Sequence, residues 1–433
     1  MKALSRFVST FDRGALARIA YKASIDAAGK VAMLVVSVAA ARTLPRDAFG
    51  LFALALTSGW LLGVATDAGI PIYLARSAAR APRRLAATLA VAVRLRLLLA
   101  FVALVAAVLV GWPWTPPAMR LPFALIVMSQ LASATLETIG HALRGIGRSE
   151  LEAHVHFGQR VAVTASALLV LGTAPSIIGL AWAMLLPPLL AMPVMIALAR
   201  RSAQAQAASI HSWPDTHTSQ APSRLVDLAR AAAPLGAGVL LSALYFRIDL
   251  FFVEYWHGLE TVAGYSAVFR IVEGIRLAPA AVLAVTFPIL CRATDAAALL
   301  RVATWLTAAG VVAAVAIGVA APTLVVGLYG GAYLDAVPAL RTLALAVPLF
   351  FLNYALTHQV IGWDGQGAFL AIAATALGAN LAANGALVPR YGATGAAAAT
   401  SLTEVVVTVG CWWALTGVRR ARQAEHVATE GVS

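Results

Sequence analysis

The sequence predicts an all-α polytopic membrane protein of about twelve transmembrane helices, arranged as six and six. Three observations carry the prediction. The 433 residues are 61% hydrophobic and only 12% charged, with a mean hydropathy of +0.83. Apolar runs of roughly 20 residues, each long enough to cross a bilayer core of about 30 Å, recur from Ile19 almost to Val418. One long polar break, Arg200 to Arg224, is rich in Gln, Ser, His, Thr and Pro and divides the runs evenly.

The predicted spans lie near 19–42, 48–74, 85–111, 119–143, 153–172, 176–199, 229–254, 262–290, 299–322, 336–361, 367–388 and 393–418. A basic lead-in, Lys2, Arg6, Arg13 and Arg18, precedes the first, and no small-residue cleavage site follows a short apolar core, so the first run is read as an uncleaved span. Alternate loops supply the topology. Arg76, Arg80, Arg83 and Arg84, then Arg144 and Arg148, then Arg200, Arg201 and Arg224, then Arg292, and finally Arg419, Arg420 and Arg422 fall on one side. The other side holds Arg42, Arg46, Arg120 and Arg390 with the acids Asp47, Glu260 and Asp335. The positive-inside rule makes the first side cytoplasmic, together with both termini. The expected organisation is an N-terminal lobe over 1–199, a cytoplasmic linker over 200–228, a C-terminal lobe over 229–418 and a cytoplasmic tail over 419–433.

The net charge of +13 would suggest nucleic acid in a soluble protein, but here the basic residues divide between short loops and span interiors. Nine cations are embedded: Lys22, Lys30, Arg94, Arg96, Arg160, Arg247, Arg270, Arg276 and Arg341. Each would cost about 2.5 to 3.5 kcal/mol at mid-membrane facing lipid, so several must face a wet or protein-lined interior. A buried excess of one sign argues for a substrate of the opposite sign. Cys291 and Cys411 support neither a disulfide framework nor a metal cluster, and His154 and His156, two apart, point to different sides of a helix. The Arg144-Gly145-Ile146-Gly147-Arg148 segment lacks the strand and the Lys-Ser/Thr of a phosphate loop, so no nucleotide motif is present.

The two halves share faint internal similarity, Phe49-Gly50-Leu51-Phe52-Ala53 against Ala263-Gly264-Tyr265-Ser266-Ala267, and Ser176-Ile177-Ile178-Gly179-Leu180 against Gly392-Ala393-Thr394-Gly395-Ala396. Parallel repeats of this kind place a site between lobes near the membrane midplane. Four segments carry a resemblance. Ala41-Arg42-Thr43-Leu44-Pro45-Arg46-Asp47-Ala48-Phe49-Gly50 resembles the first-loop signature of bacterial polysaccharide repeat-unit flippases. Asp67-Ala68-Gly69-Ile70 is similar to the acidic-Gly element that ends their second span. Pro234, Arg247-Ile248-Asp249, Gly264-Tyr265-Ser266-Ala267 and Phe287-Pro288 resemble, in order and spacing, their seventh and eighth helices, and Val388-Pro389-Arg390-Tyr391-Gly392-Ala393-Thr394-Gly395-Ala396-Ala397 resembles the segment before their last span.

The resemblance covers nearly the whole chain. It implies the multidrug, oligosaccharidyl-lipid and polysaccharide exporter superfamily: two six-helix lobes related by a pseudo-two-fold around a central cavity, working by alternating access. It further implies that an undecaprenyl-pyrophosphate-linked oligosaccharide is moved across the bacterial inner membrane, with membrane lipids, a polysaccharide polymerase and export proteins as partners and no nucleic acid. Peptidoglycan-precursor flippases of the superfamily carry two additional helices for which this chain has no room.

A pyrophosphate crossing hydrocarbon needs a wet cationic path, and guanidinium suits it because its fork pairs phosphate oxygens and stays charged when buried. Lys30, Arg94, Arg247, Arg270 and Arg276 are the candidate pyrophosphate contacts. Lys22, Asp26 and Lys30 fall at four-residue steps on one face, and one acid cannot neutralise both lysines; Arg270, Glu273 and Arg276 fall at three-residue steps with a positive remainder. Lys30 and Arg276 therefore stand out. Arg94 and Arg96 point to different sides of their helix, so at most one faces a cavity, while Lys22, Arg160 and Arg341 are within snorkelling reach of an interface. Asp26, Asp67, Asp249, Glu273 and Glu404 are candidates for gating or for coupling to a proton or sodium gradient, with charge partnership of the cations as the structural alternative. Asn353, His358, Asn380 and Asn384 can meet sugar hydroxyls or serve as interhelical hydrogen bonds. No catalytic residue, resident cofactor or metal is expected. Two other readings stay open: a cation-coupled multidrug exporter, whose cavity should be rich in acids and aromatics, and a membrane-embedded polymerase or transferase, which would need a sizeable loop on the non-cytoplasmic side.

Overall fold

The computed structural model describes residues 13–67, 69–80, 85–111, 115–209, 225–280, 282, 296–363 and 365–430. Phe287, Pro288, Cys291, Arg292 and most of the predicted linker therefore lie outside the described residues. Within them, all regular structure is helical. The helices are α1 (Arg13–Thr43), α2 (Arg46–Asp67), α3 (Ile70–Arg80), α4 (Leu85–Gly111), α5 (Arg120–Gly145), α6 (Ser149–Thr173), α7 (Ile177–Ser209), α8 (Leu225–Arg247), α9 (Asp249–Ile275), α10 (Ala296–Tyr329), α11 (Val337–Ala344), α12 (Val347–Gly362) and α13 (Gln366–Glu430). Short 3-10 turns at Pro117–Met119 and Gly331–Ala336 lead into α5 and α11.

Hydrocarbon leaves no water for the backbone, so each apolar run closes its hydrogen bonds as a helix. Eight helical stretches among the described residues are long and apolar enough to cross a membrane. Two of them are about twice the length a bilayer needs, Gly236–Ala280 with 45 residues and Gln366–Gly417 with 52. Each is broken by a glycine that supplies a left-handed backbone: Gly258 at φ 74° and Gly392 at φ 54°. A side chain at either position would be strained, so these glycines turn one long helix into two spans. Counting those halves separately, the Gly331–Ala344 and Val347–Gly362 pair bent by 44° as one span, and α1 as another gives the twelve spans read from the sequence.

The chain divides into two compact units, one comprising Met1–Ala39 with Ser58–Ala233, the other Ala40–Thr57 with Pro234–Ser433. Unit 1 is packed through small residues. Gly59 and Gly63, four apart on α2, let the helix lie flush on α5, where a Cβ at Gly59 would come within 2.7 Å of Gln130 and one at Gly63 within 3.2 Å of Ala134. Gly145 is likewise seated on the carbonyl of Ala75 in α3. Beneath these contacts Ile70, Leu74, Leu89, Leu136, Ile139, Leu143 and Met195 form an apolar core shared by α3, α4, α5 and α7. The Arg144–Arg148 segment is a helix stop: Gly147, at φ 76°, donates to Arg144 O at 3.0 Å and Arg148 N to Leu143 O at 2.9 Å, the two bonds of a Schellman cap.

In unit 2 the α1–α2 corner is held by the residues around Tyr333. Arg42 Nε donates to Leu328 O at 2.7 Å and its Nη2 to Gly327 O. Arg46 donates to Ala332 O at 2.9 Å and to Asp335 Oδ2 at 2.8 Å, with its guanidinium 5.0 Å above the Tyr333 ring. Tyr333 Oη donates to Ala41 O at 3.2 Å, and Phe49 meets the same ring edge-on at 6.2 Å. Gly50 lies against the Leu259 carbonyl so closely that a Cβ would overlap it, and Gly264 leaves room for Arg46 Nη2 at 3.3 Å. The first-loop sequence is thus a packing motif. Arg46→Ala is expected to weaken this corner by about 1–2 kcal/mol, since Asp335 is exposed and most of the loss is carbonyl hydrogen bonding. Backbone hydrogen exchange over Ala40–Thr57 should accelerate about tenfold, and further in Gly50→Ala, where only backbone can give way; unchanged protection in both would refute the packing role.

Candidate functional site

Unit 2 gathers three of the predicted pyrophosphate contacts. Arg247 at the end of α8, buried, donates through Nη2 to Glu273 Oε1, and Arg270 Nη1 reaches Glu273 Oε2 at 3.1 Å. Arg247 thus pairs with Glu273 on α9, while Asp249, two residues along, takes its hydrogen bonds from other groups. Arg276, one turn beyond Glu273, stands outside the exchange. Its guanidinium lies 4.1 Å from the centroid of Phe246 and 4.6 Å from that of Phe350, with no side-chain hydrogen bond or ion pair to any described residue. Arg247 itself covers Phe269 at 4.3 Å. Two guanidiniums thus share one carboxylate and a third stands beside them, with Arg247 and Arg276 over aromatic rings that orient the planar group. The Tyr329 hydroxyl is buried with no hydrogen-bond partner among the described residues, within the electrostatic reach of Arg270 and Glu273.

The neighbouring acids and amides are engaged within the unit. Asp249, 1% exposed, accepts from Tyr265 Oη, from Thr400 Oγ1 at 3.3 Å and from the Leu250 amide at 2.8 Å. Asn353 donates to Glu404 Oε2 at 2.7 Å and accepts from Thr408 at 2.8 Å. Asn380 donates to Thr403 at 2.9 Å and Asn384 to Asn380 at 2.9 Å, both fully buried, and His358 Nδ1 sits 2.7 Å from Tyr354 O. The three asparagines use their side-chain N–H groups to hold α12 and the two halves of α13 in place, while Asn384 Oδ1 is buried with no partner among the described residues. Glu404 feels a cation that its own sequence neighbourhood lacks, Arg276.

In unit 1 the two arginines of α4 separate as their spacing requires. Arg94 is exposed, whereas Arg96 is wholly buried, donating to Asp67 Oδ1 at 2.8 Å and to Gly63 O at 3.0 Å. Its Nε and Nη1 have no hydrogen-bond partner among the described residues. Lys30 and Asp26 belong to α1, but their side chains lie outside the described residues.

Unit 1 also contains a cluster that sequence spacing alone leaves scattered. A cavity of 270 Å³ is bounded by Trp60, Gly63 and Asp67 of α2, Gln130, Ser133 and Glu137 of α5, and Glu152, His156, Gln159 and Arg160 of α6, with Arg144 at its edge. Glu152, 1% exposed, is clamped by Arg144 Nε at 2.8 and 2.7 Å and has His156 Nε2 at 3.9 Å; Gly140 provides the space for its side chain. A signal was present. Gln130, Ser133 and Glu137 stand at i, i+3 and i+7, and Glu152, His156 and Gln159 at i, i+4 and i+7, so each helix shows a polar stripe of helical period.

Two internally charged units made of apolar helices define a multi-pass membrane protein. The chain belongs to the polysaccharide biosynthesis protein family, whose family model matches residues 15–294. Comparison with curated proteins finds no match. Among solved structures, an inward-facing multidrug resistance transporter of the MATE family, MOP superfamily, superposes with a TM-score of 0.67 at 16% identity, covering 91% of this chain and 96% of that one. The Vibrio cholerae MATE transporter VcmN, in its bent form, gives 0.56 at 12% identity, covering 93% and 97%. The lipid II flippase MurJ, in an inward closed conformation, gives 0.59 at 12% identity, covering 91% and 87%. At these identities the likeness establishes the MOP-type fold.

Proposed function

We propose that the protein is an alternating-access flippase that carries an undecaprenyl-pyrophosphate-linked oligosaccharide across the bacterial inner membrane, with both termini cytoplasmic. The observation that carries the reading is Arg276, a cation on an aromatic platform whose donors meet no described residue, beside Arg270 and Arg247, which share Glu273. Glu273 is the one carboxylate among the described residues paired directly with any of the three cations, which leaves a net demand for an anion, and bidentate guanidinium recognition fits a pyrophosphate better than a sugar hydroxyl. Lys30 and Arg94 are the unit 1 residues assigned to the same headgroup. A proton or sodium gradient is the energy source in this reading. Asp249 and Glu404 are its acids, because neither carboxylate is held by a direct ion pair with a described residue and both are buried.

The test is reconstitution in proteoliposomes loaded with lipid-linked oligosaccharide on one leaflet. Its appearance on the other leaflet, without stimulation by ATP, is the expected result. Extrusion of a lipophilic drug cation with no movement of the lipid would instead establish the multidrug exporter reading.

A further inference from the structure

The cavity of unit 1 has no counterpart in the role assigned to the arginines of unit 2. Its charges cancel: Asp67, Glu137 and Glu152 face Arg144, Arg160 and the Arg96 that grips Asp67. Such a site makes no demand for an anion. What it offers is unspent hydrogen bonding. Gln130 and Gln159 make no side-chain hydrogen bond with a described residue, and Glu137, exposed on the middle of α5, has neither hydrogen bond nor ion pair there. An acid in mid-span cannot face lipid at that cost, so its exposure is to water in the cavity it lines. Two amides that both donate and accept, with a carboxylate that accepts, match hydroxyl groups, which also do both. Trp60, 41% exposed at the rim, adds a flat apolar face.

We infer that this cavity is the saccharide subsite, taking one sugar ring of the lipid-linked oligosaccharide with its C–H face on the Trp60 indole and its hydroxyls on Gln130, Glu137 and Gln159. The inference rests on the oligosaccharide-flippase reading and assigns it a second, charge-balanced point of recognition. A volume of 270 Å³ displaces about nine waters at roughly 30 Å³ each, room for a pyranose ring with its hydroxyls. The asparagines of unit 2 do not compete for the role, because all three are buried and their side-chain N–H groups are bonded to Glu404, Thr403 and one another. A lipophilic cation is the other occupant Glu137 and Trp60 could draw, yet the three arginines around the cavity remove the negative field that would hold it.

The experiment compares two probes on the full-length protein in nanodiscs: lipid-linked oligosaccharide extracted from the producing cells, and undecaprenyl pyrophosphate, which carries no sugar. The wild type should bind the first about tenfold more tightly than the second, the difference being the sugar contacts. Trp60→Ala and Glu137→Ala should bring the two affinities together without changing that for the sugarless probe, and Trp60→Phe should keep part of the difference. Arg276→Ala should weaken both probes alike. A wild-type preference that survives in Trp60→Ala and Glu137→Ala overturns the subsite, as does equal binding of the two probes by the wild type; the flippase reading stands in either case. Failure of the wild type to bind either lipid overturns that reading as well. Ethidium binding that disappears in Glu137→Ala would assign the cavity to cations and refute the saccharide.

Discussion

Arg276→Ala is expected to lower the transport of lipid-linked oligosaccharide by about 100-fold while the protein accumulates normally, the loss of two charge-assisted hydrogen bonds to phosphate oxygens. The selectivity of the effect follows from its surroundings. Arg276 makes no direct ion pair with a described carboxylate, so its removal breaks no salt bridge there; what is lost is the stacking on Phe246 and Phe350 and a more distant charge felt by Glu404. That stacking contributes about 0.5–2 kcal/mol, too little to unfold the unit. Arg276→Lys should recover part of the activity, because an ammonium restores charge without the planar fork. Arg247→Ala offers the contrast: Arg247 is 7% exposed and bonded to Glu273, so its loss should reach stability as well as transport. Polymer export in cells, normalised to protein level, reads all three; full export by Arg276→Ala would remove the residue from the site.

The second large effect is on folding. Asp67→Ala should destabilise unit 1 by about 3 kcal/mol, because the Arg96 guanidinium has no exposure, keeps its charge, and would retain only the Gly63 carbonyl. The figure is taken at the low end of the range for broken buried pairs, since the Asp67 side chain is 42% exposed and partly screened. The double variant Asp67→Ala with Arg96→Leu should regain most of the loss, an apolar side chain being better suited to that place than an unpaired cation. Apparent melting temperature in detergent is the measurement. A single variant as stable as the wild type, or a double variant no better than the single, would show that the pair does not hold the fold.

The arginines of α4 also show what was legible in the sequence. The spans were, because a bilayer demands a length of apolar residues and breaks are made by residues that cannot continue a helix. Gly392 falls in the gap drawn between 388 and 393, and Gly258 between the seventh and eighth runs. Which of Arg94 and Arg96 is buried was not legible. Their helix is apolar on every side, Leu95, Leu97, Leu98 and Leu99 among them, so no periodicity names an inner face. The partner of Arg247 was hidden for a different reason: Glu273 is distant in sequence, on the far limb of a helix whose break at Gly258 reverses the chain. The unit 1 cavity was legible in principle, as two polar stripes, but its residues are individually common and gain meaning only when α5 and α6 are set side by side.

Unit membership and chain order disagree at one place, and this bears on how the protein is made. Ala40–Thr57 packs with residues beyond Pro234, so the corner bearing Arg42 and Arg46 leaves the ribosome long before Leu259, Leu328 and Tyr333, the groups that receive it, have been synthesised. N-terminal segments fold first during synthesis, and here one of them must wait. Two arginines and Asp47 give the corner a hydrated resting state in the interval. A chain cut between α7 and α8 would for the same reason yield two fragments of which neither is a whole unit, and the C-terminal one would present an empty seat around Tyr333 until the other arrived.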